Sequence, residues 1–297
     1  FIKNYYNLES TMSIDKTALI IEGGGSRGVF SFGVIDTFIK NQFDPFNLYI
    51  GVSNGAVVLN WYLIKEKENN LEKMLFSANK QYVNYLNFFK GKSIIDFEAI
   101  YRDGRTKFNP DPFKIEKNLE SKELYLAATE AISAKAHYLK FNTKDWFDQM
   151  IASGTLPLIV RKPSIINKIR YFDGGIADPI PVKKAYDLGA KKIVVIRTYE
   201  EEFIRANKVE NFISALFIAK YPKLSKALIN HSKTYNRCLD FIQNPPDDCE
   251  IIQICPATRL KVKRDSIDHD LLKDGYQLGI NSAVKFLDKS FNLFHLK

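Results

Sequence analysis

Cysteine is scarce: the 297 residues carry three, Cys238, Cys249 and Cys255. An odd number without metal-site spacing excludes a disulfide framework and reads as reduced thiols in a reducing compartment. No run approaches the roughly 18 uninterrupted apolar residues that a membrane-spanning helix needs. The opening FIKNYYNLES lacks the apolar core of a signal peptide. There is no internal repeat, no low-complexity tract and no obvious linker. The chain opens on Phe1, and Met12 begins MSIDKTALII, so residues 1–11 read as an extension or a trimmed remnant. Residues 1–16 are expected to form a flexible N-terminal segment.

What is present suffices for a sizeable core. The hydrophobic fraction is 45%, near the average for globular proteins, and the length suits one large α/β domain or two ordinary ones. Lys and Arg number 43 against 34 acidic residues, a net charge of +9. A basic balance favours polyanions, either nucleic acid or an anionic membrane face, and composition does not choose between them. No nucleic-acid-binding motif is recognisable.

The first 65 residues read as an alternation. TALIIE (17–22) is a short apolar strand that runs into Gly23-Gly24-Gly25-Ser26-Arg27-Gly28. VFSFGVIDTFIK then places Phe30, Val34 and Phe38 one helical turn apart. Leu48-Tyr49-Ile50 is a second strand, followed by Gly51-Val52-Ser53-Asn54-Gly55 and the helical AVVLNWYLIKEK. Strand, glycine turn, helix, strand, sharp turn, helix predicts an α/β fold with a parallel sheet. Further strands are expected in LYLAATEAI, YLKFNT, 169–172, KIVVIR (192–197) and EIIQICP. IASGTLPLIV is expected to start a short helix. Residues 211–243 read as one or two helices, and LLKDGYQLGINSAVKFLDK as an amphipathic one. The expected organisation is a single domain over 17–297, with 201–297 a mainly helical part.

Three motifs carry chemistry. Gly51-x-Ser53-x-Gly55 lies between a strand and a helix, the context of a nucleophile elbow. Its glycines let neighbouring chain pass, and the next helix aims its positive end where negative charge builds in acyl transfer. The bland alternative is a turn in which Ser53 caps the helix. Gly23 to Gly28 is a nest of N–H groups, suited to an oxyanion hole or a phosphate cradle. It also fits the dinucleotide pattern G-x-G-x-x-G through Gly23, Gly25 and Gly28. That site needs an acid at the end of the second strand; Asp44 precedes this strand, and Gly51-Val52-Ser53 stands at its end. The oxyanion reading is favoured, with the N–H groups of Gly24, Gly25 and Ser26 as donors. Arg27 either orients the loop, meets lipid phosphate or is simply solvated.

A nucleophilic Ser needs a base. Of the four histidines, His137 lies in a strand-like stretch, His231 mid-helix, His269 in the charged run RDSIDHD and His295 near the C-terminus. For each, a structural role outweighs a catalytic one. Asp173 is the better candidate. It ends a strand and precedes Gly174-Gly175, whose missing side chains let another loop approach, and it falls on the sheet edge where α/β proteins place ligands. It could take the Ser53 proton directly.

Taken in order, EGGGSRG, GVSNGA and FDGGIADPIPV resemble the patatin-like phospholipases. The family's glycine-rich oxyanion loop corresponds to Gly23–Gly28, its nucleophile to Ser53 and its base to Asp173, while IASGTLPLIV resembles a segment between them, with Gly154-Thr155-Leu156-Pro157 as a mild departure. Asn54 replaces the more frequent Ala or Ser. The resemblance implies a central, mostly parallel sheet flanked by helices on both faces, with a helical elaboration in the C-terminal third. It also implies hydrolysis of phospholipid or related lipid esters through a Ser–Asp dyad, with no metal and no cofactor, in the cytoplasm or peripherally at membranes.

Two aromatic and basic stretches suit a headgroup zone or a lid. One is 79–101, with Tyr82, Tyr85, Phe88, Phe89 and Phe97 among Lys80, Lys90 and Lys92. The other is 203–226, with Phe203, Phe212, Phe217 and Tyr221 among Lys208, Lys220, Lys223 and Lys226. A core role for these aromatics is slightly favoured, with at least one stretch forming the substrate cleft. The alternatives to a hydrolase are a nucleotide-binding protein using Gly23–Gly28 and a non-catalytic lipid-binding protein.

Overall fold

A computed structural model describes residues 16–66, 70–84, 86–90, 93–157, 160, 162–206 and 220–290. Among these, eight strands form one sheet. They are β1 (Lys16–Ile21), β2 (Leu48–Val52), β3 (Glu123–Glu130), β4 (Ala136–Lys140), β5 (Ser164–Ile166), β6 (Ile169–Asp173), β7 (Ala190–Ile196) and β8 (Glu250–Ile254). The helices follow the order α1 (Val29–Lys40), α2 (Asn54–Ile64), α3 (Asn70–Ser77), α4 (Leu86–Phe89), α5 (Phe97–Phe108), α6 (Pro112–Leu119), α7 (Trp146–Gly154), α8 (Val182–Asp187), α9 (Pro222–Ile229), α10 (His231–Gln243) and α11 (His269–Ser290).

The centre of the sheet is parallel: β3, β2, β1, β7 and β8 lie side by side in one direction. An antiparallel edge of β4, β6 and β5 is added at β3. Crossover helices cover both faces, so the inner parts of the central strands, Ala18 to Ile21 and Ile193 to Ile196, are apolar and buried. Alternate side chains go to opposite cores. Leu19, Ile21, Val194 and Ile196 join α1, α2 and α11 on one face. Ala18, Ile20, Ile193 and Val195 join α8 and α10 on the other. Each fully buried Leu, Ile or Phe contributes about 1.5–3 kcal/mol by leaving water. None of the described helices is long and apolar enough to cross a membrane.

One expectation needs correction. The stretch IASGTLPLIV does not begin a helix: Trp146 to Met150 supply the preceding turns, and Ile151 to Gly154 end α7. Between β2 and β3, where the sequence pattern announces no helix, the chain forms α5 and α6, whose N-caps are Asp96, accepting from Ala99 N–H at 2.9 Å, and Asp111, accepting from Phe113 N–H at 2.9 Å. The cap residues were visible in sequence; the aromatic and lysine mixture and Gly104 obscured the helical period. The strand expected in EIIQICP is β8, which pairs with β7 and extends the sheet within the mainly helical C-terminal part.

Of the aromatic stretches, Tyr82 and Tyr221 are core residues, and Phe203 stacks on Tyr199 with centroids 3.9 Å apart. Tyr85, Lys92, Lys208, Phe212 and Phe217, the side chains of Phe88 and Phe89, and His295 lie outside the described residues.

Candidate active site

The sheet itself brings the two motifs together. Ala128 pairs with His137 of β4 and with Asp173 of β6, so β4 and β6 occupy opposite edges of β3. Ala127 pairs with Tyr138 of β4 and with Val52 of β2, so β2 also lies opposite β4. Hence β2 and β6 share one edge of β3. They run toward each other and end on its consecutive residues, Ala127 and Ala128. Ser53 follows the last residue of β2, and Asp173 is the last residue of β6. The Ser53 hydroxyl donates to Asp173 Oδ2 at 2.6 Å.

Ser53 has φ 55° and ψ −126°, a sparsely populated conformation that costs on the order of 1–3 kcal/mol and is held by its surroundings. The elbow is closed from below: a Cβ on Gly55 would lie 2.2 Å from the Ile21 carbonyl oxygen, so only glycine lets the first turn of α2 rest on the end of β1. Helix α2 then points its N-terminus at Ser53. Nearly all of its side chains are buried, as expected of a helix that is apolar all round.

Asp173 is 4% exposed. Its other oxygen, Oδ1, accepts from Gly175 N–H at 2.8 Å, and its own carbonyl accepts from Thr129 Oγ1 at 2.8 Å. Burial pushes the carboxyl above the usual carboxylate range. The Ser53 and Gly175 hydrogen bonds and the charge of Arg264 pull the other way. A carboxylate made more basic in this manner is a better proton acceptor.

The glycine loop faces the same hollow. Gly25 has φ 57°, and a Cβ there would lie 2.3 Å from the Arg264 carbonyl oxygen. Among the described residues, no acceptor takes the N–H groups of Gly24 and Gly25. Ser26 departs from expectation: its N–H donates to the Arg264 carbonyl at 2.8 Å, which withdraws it from the proposed donor set. Arg27 turns inward. Its guanidinium lies 4.1 Å over the Tyr199 ring, and Nε is buried without a hydrogen-bond partner. Burial lowers its pKa, opposed by Tyr199 and Glu22.

Further contacts complete the arrangement, the first from Ser153, which sequence reasoning passed over. Ser153 Oγ accepts the Ser53 N–H at 2.9 Å and donates to the Ala127 carbonyl at 2.7 Å, filling the ladder gap where β2 ends. Thr155 O accepts the Asp173 N–H at 2.9 Å. Asn54 is more than a tolerated replacement: its Nδ2 donates to the Gly25 carbonyl at 2.8 Å, tying elbow to loop. Gly28 makes room for this amide, since a Cβ there would fall 2.0 Å from Asn54 Nδ2. His231, expected in mid-helix, opens α10, and its Nε2 lies 2.9 Å from the Gly175 carbonyl. Only the small residues of IASG hinted at Ser153; nothing local marks the other contacts.

Ser53, Asp173 and the glycine loop open into a cleft of about 260 Å³. Its walls come from α2, α3, α5 and α7, including Trp61, Met74, Phe76, Tyr101, Phe108 and Met150. Such a wall suits a long apolar chain. Asp44, the acid a dinucleotide site would need, is turned away and paired with Lys65 and Lys122, each at 2.9 Å.

The chain is 28% identical over 270 residues to the uncharacterized protein YjjU of Escherichia coli (strain K12), covering 89% of this chain and 75% of that protein. Among solved structures it is similar to VipD from Legionella pneumophila, with a TM-score of 0.45 and 14% identity over 93% of this chain and 67% of that one. A family model described as a domain of unknown function (DUF6363) matches residues 221–294. The model of the patatin-like phospholipases matches residues 19–186. That match takes in more than half of the chain and all three motifs, and this protein belongs to the patatin-like phospholipase family.

Proposed function

We propose that this protein is a serine acyl hydrolase that cleaves ester bonds of phospholipids or related lipids through Ser53 and Asp173. The observation that carries the reading is the 2.6 Å hydrogen bond from the Ser53 hydroxyl to a buried carboxylate at the mouth of an apolar cleft.

The acyl chain lies along the cleft and presents its ester carbonyl to Ser53. As Oγ bonds to the carbonyl carbon, its proton passes to Asp173 Oδ2. The carbonyl oxygen becomes an oxyanion and is held by the N–H groups of Gly24 and Gly25, next to the positive end of α2. Collapse breaks the bond to the alcohol, which leaves with the proton from Asp173, and the acyl group stays on Ser53. Water then gives its proton to Asp173 and attacks the acyl-enzyme. Collapse returns the proton to Ser53 and frees the fatty acid. Oxyanion stabilisation is the largest contribution, about 10²–10³ in rate for one donor. The net charge of +9 favours approach to an anionic lipid surface.

A fluorophosphonate probe on wild type and Ser53→Ala tests the reading. Labelling of the wild type alone is expected. An unlabelled wild type that still binds liposomes makes it a non-catalytic lipid-binding protein.

A further inference from the structure

We infer that the segment matched as a domain of unknown function, residues 221–294, completes the reaction centre, with His231 and Tyr235 as positioning residues for the two loops that flank Ser53. The inference rests on the hydrolase reading above and assigns that segment a role within it.

Three contacts from this segment reach three points around the site. Tyr235 Oη, on α10, donates to Glu22 Oε1 at 2.8 Å. Glu22 is 3% exposed and immediately precedes the glycine loop. At the loop's other end, Ser26 N–H donates to the Arg264 carbonyl. His231 Nε2 meets the carbonyl of Gly175, the residue whose N–H holds Asp173 Oδ1. A continuous path thus runs from Ser53 Oγ to Asp173, through the Gly175 residue, to the His231 ring.

A carbonyl oxygen only accepts, so the His231 proton sits on Nε2. Nδ1 is buried and unpartnered. Burial, together with Arg205 and Arg264, lowers the His231 pKa to about 4, so near pH 7 the ring is a neutral donor to the Gly175 carbonyl. Helix α11 adds a further constraint. Its backbone packs on α1 where a Cβ on Gly279 would lie 2.0 Å from the Phe30 carbonyl oxygen, and α1 is the helix that the glycine loop enters. Truncating the segment would also remove Leu272 and Phe286 from the main core, so point exchanges make the better test.

Ester hydrolysis and the rate of fluorophosphonate labelling are measured against pH for wild type, His231→Leu, His231→Gln and Tyr235→Phe. In His231→Leu, kcat is expected to fall roughly 10²-fold, the scale of a 1 Å misplacement, with KM little changed. The acid limb should move to higher pH, because a loosened Gly175 N–H no longer holds the Asp173 carboxylate down. Arg264 and Tyr101 also act on Asp173, and Arg205 and Arg264 on His231; all are unchanged in these variants. His231→Gln places an amide N–H where Nε2 stood and should restore both rate and pH profile. Tyr235→Phe keeps the ring and loses the bond to Glu22, and kcat should fall several-fold; this variant carries the test if His231→Leu does not fold. Wild-type kcat and pH profile in His231→Leu, equal impairment of His231→Leu and His231→Gln, or a wild-type rate in Tyr235→Phe would overturn the inference. A wild type that never labels brings down the hydrolase reading instead.

Discussion

Ser53 and Asp173 meet because β2 and β6 run head-on along one edge of β3 and stop on neighbouring residues, Ala127 and Ala128. Separated by 120 positions in sequence, the two side chains come within 2.6 Å at the junction of a parallel and an antiparallel pairing. The two residues are thereby placed by sheet register.

Removing the base while keeping its shape should separate activity from stability. Asp173→Asn is expected to lose about 10²–10⁴ in kcat, the range of general-base catalysis. The stability change has the opposite sign. A carboxyl whose pKa is raised on folding binds its proton more tightly in the native state, so stability falls as pH rises from the ordinary carboxylate value through the raised one. The Asn variant should therefore melt above wild type at pH 7 and lose that advantage below about pH 4, the unfolded value. A calorimetric series with no such crossover, or half of wild-type activity retained, contradicts the assignment.

Ser153→Ala strips the bridge between the Ser53 N–H and the Ala127 carbonyl and leaves two buried polar groups unpaired. A loss of about 1–3 kcal/mol is expected, read by urea denaturation, together with a lower kcat as the elbow loosens. A variant as stable and active as wild type would show that the bridge is incidental.

Gly25→Ala adds a Cβ at φ 57° and 2.3 Å from the Arg264 carbonyl oxygen. The loop must shift, and about 10²–10³ in rate should go with one oxyanion donor, while far-UV circular dichroism stays native. Unimpaired turnover would exclude this loop as the oxyanion hole.

Gly104 lies on the cleft wall in α5, and a Cβ there meets only Phe76 Cε1 at 3.6 Å. Gly104→Leu should intrude on the acyl chain without disturbing backbone, so the ratio of long-chain to short-chain ester turnover should drop at least tenfold, since burying each methylene is worth ~0.8 kcal/mol. An unchanged ratio would put the acyl chain elsewhere.

His231 imposes its own acid sensitivity. Its pKa falls from the ordinary 6.5 to about 4 on folding, so the unfolded chain binds more protons between these values. Its contribution is present above pH 6.5 and is lost as pH drops toward 4. His231→Gln should flatten the stability profile in that window, measured by denaturant midpoints; an identical slope in both proteins counts against a buried neutral ring.

The sequence by itself determined the parallel core and the chemistry-bearing turns. Strand, glycine turn and helix follow one another so closely in residues 17–65 that local pattern dictates them, and an Asp-Gly-Gly at a strand end marks its own position. These features depend on near neighbours, which a linear reading sees. It also read α7 from its wrong end and lost α5 and α6 behind aromatic and lysine residues whose burial is settled only by packing.

Tertiary structure alone decided which groups complete the site. Ser153 bridges a gap that exists only once β2 stops short along β3. Ser26 loses its free N–H to a carbonyl 238 positions away. His231 becomes part of the surroundings of Asp173 because α10 starts beside Gly175. Each of these rests on one or two hydrogen bonds between separate segments. Hydrogen bonds are short and directional, so no periodicity in the chain announces them; they exist only where the packed elements have already fixed both partners.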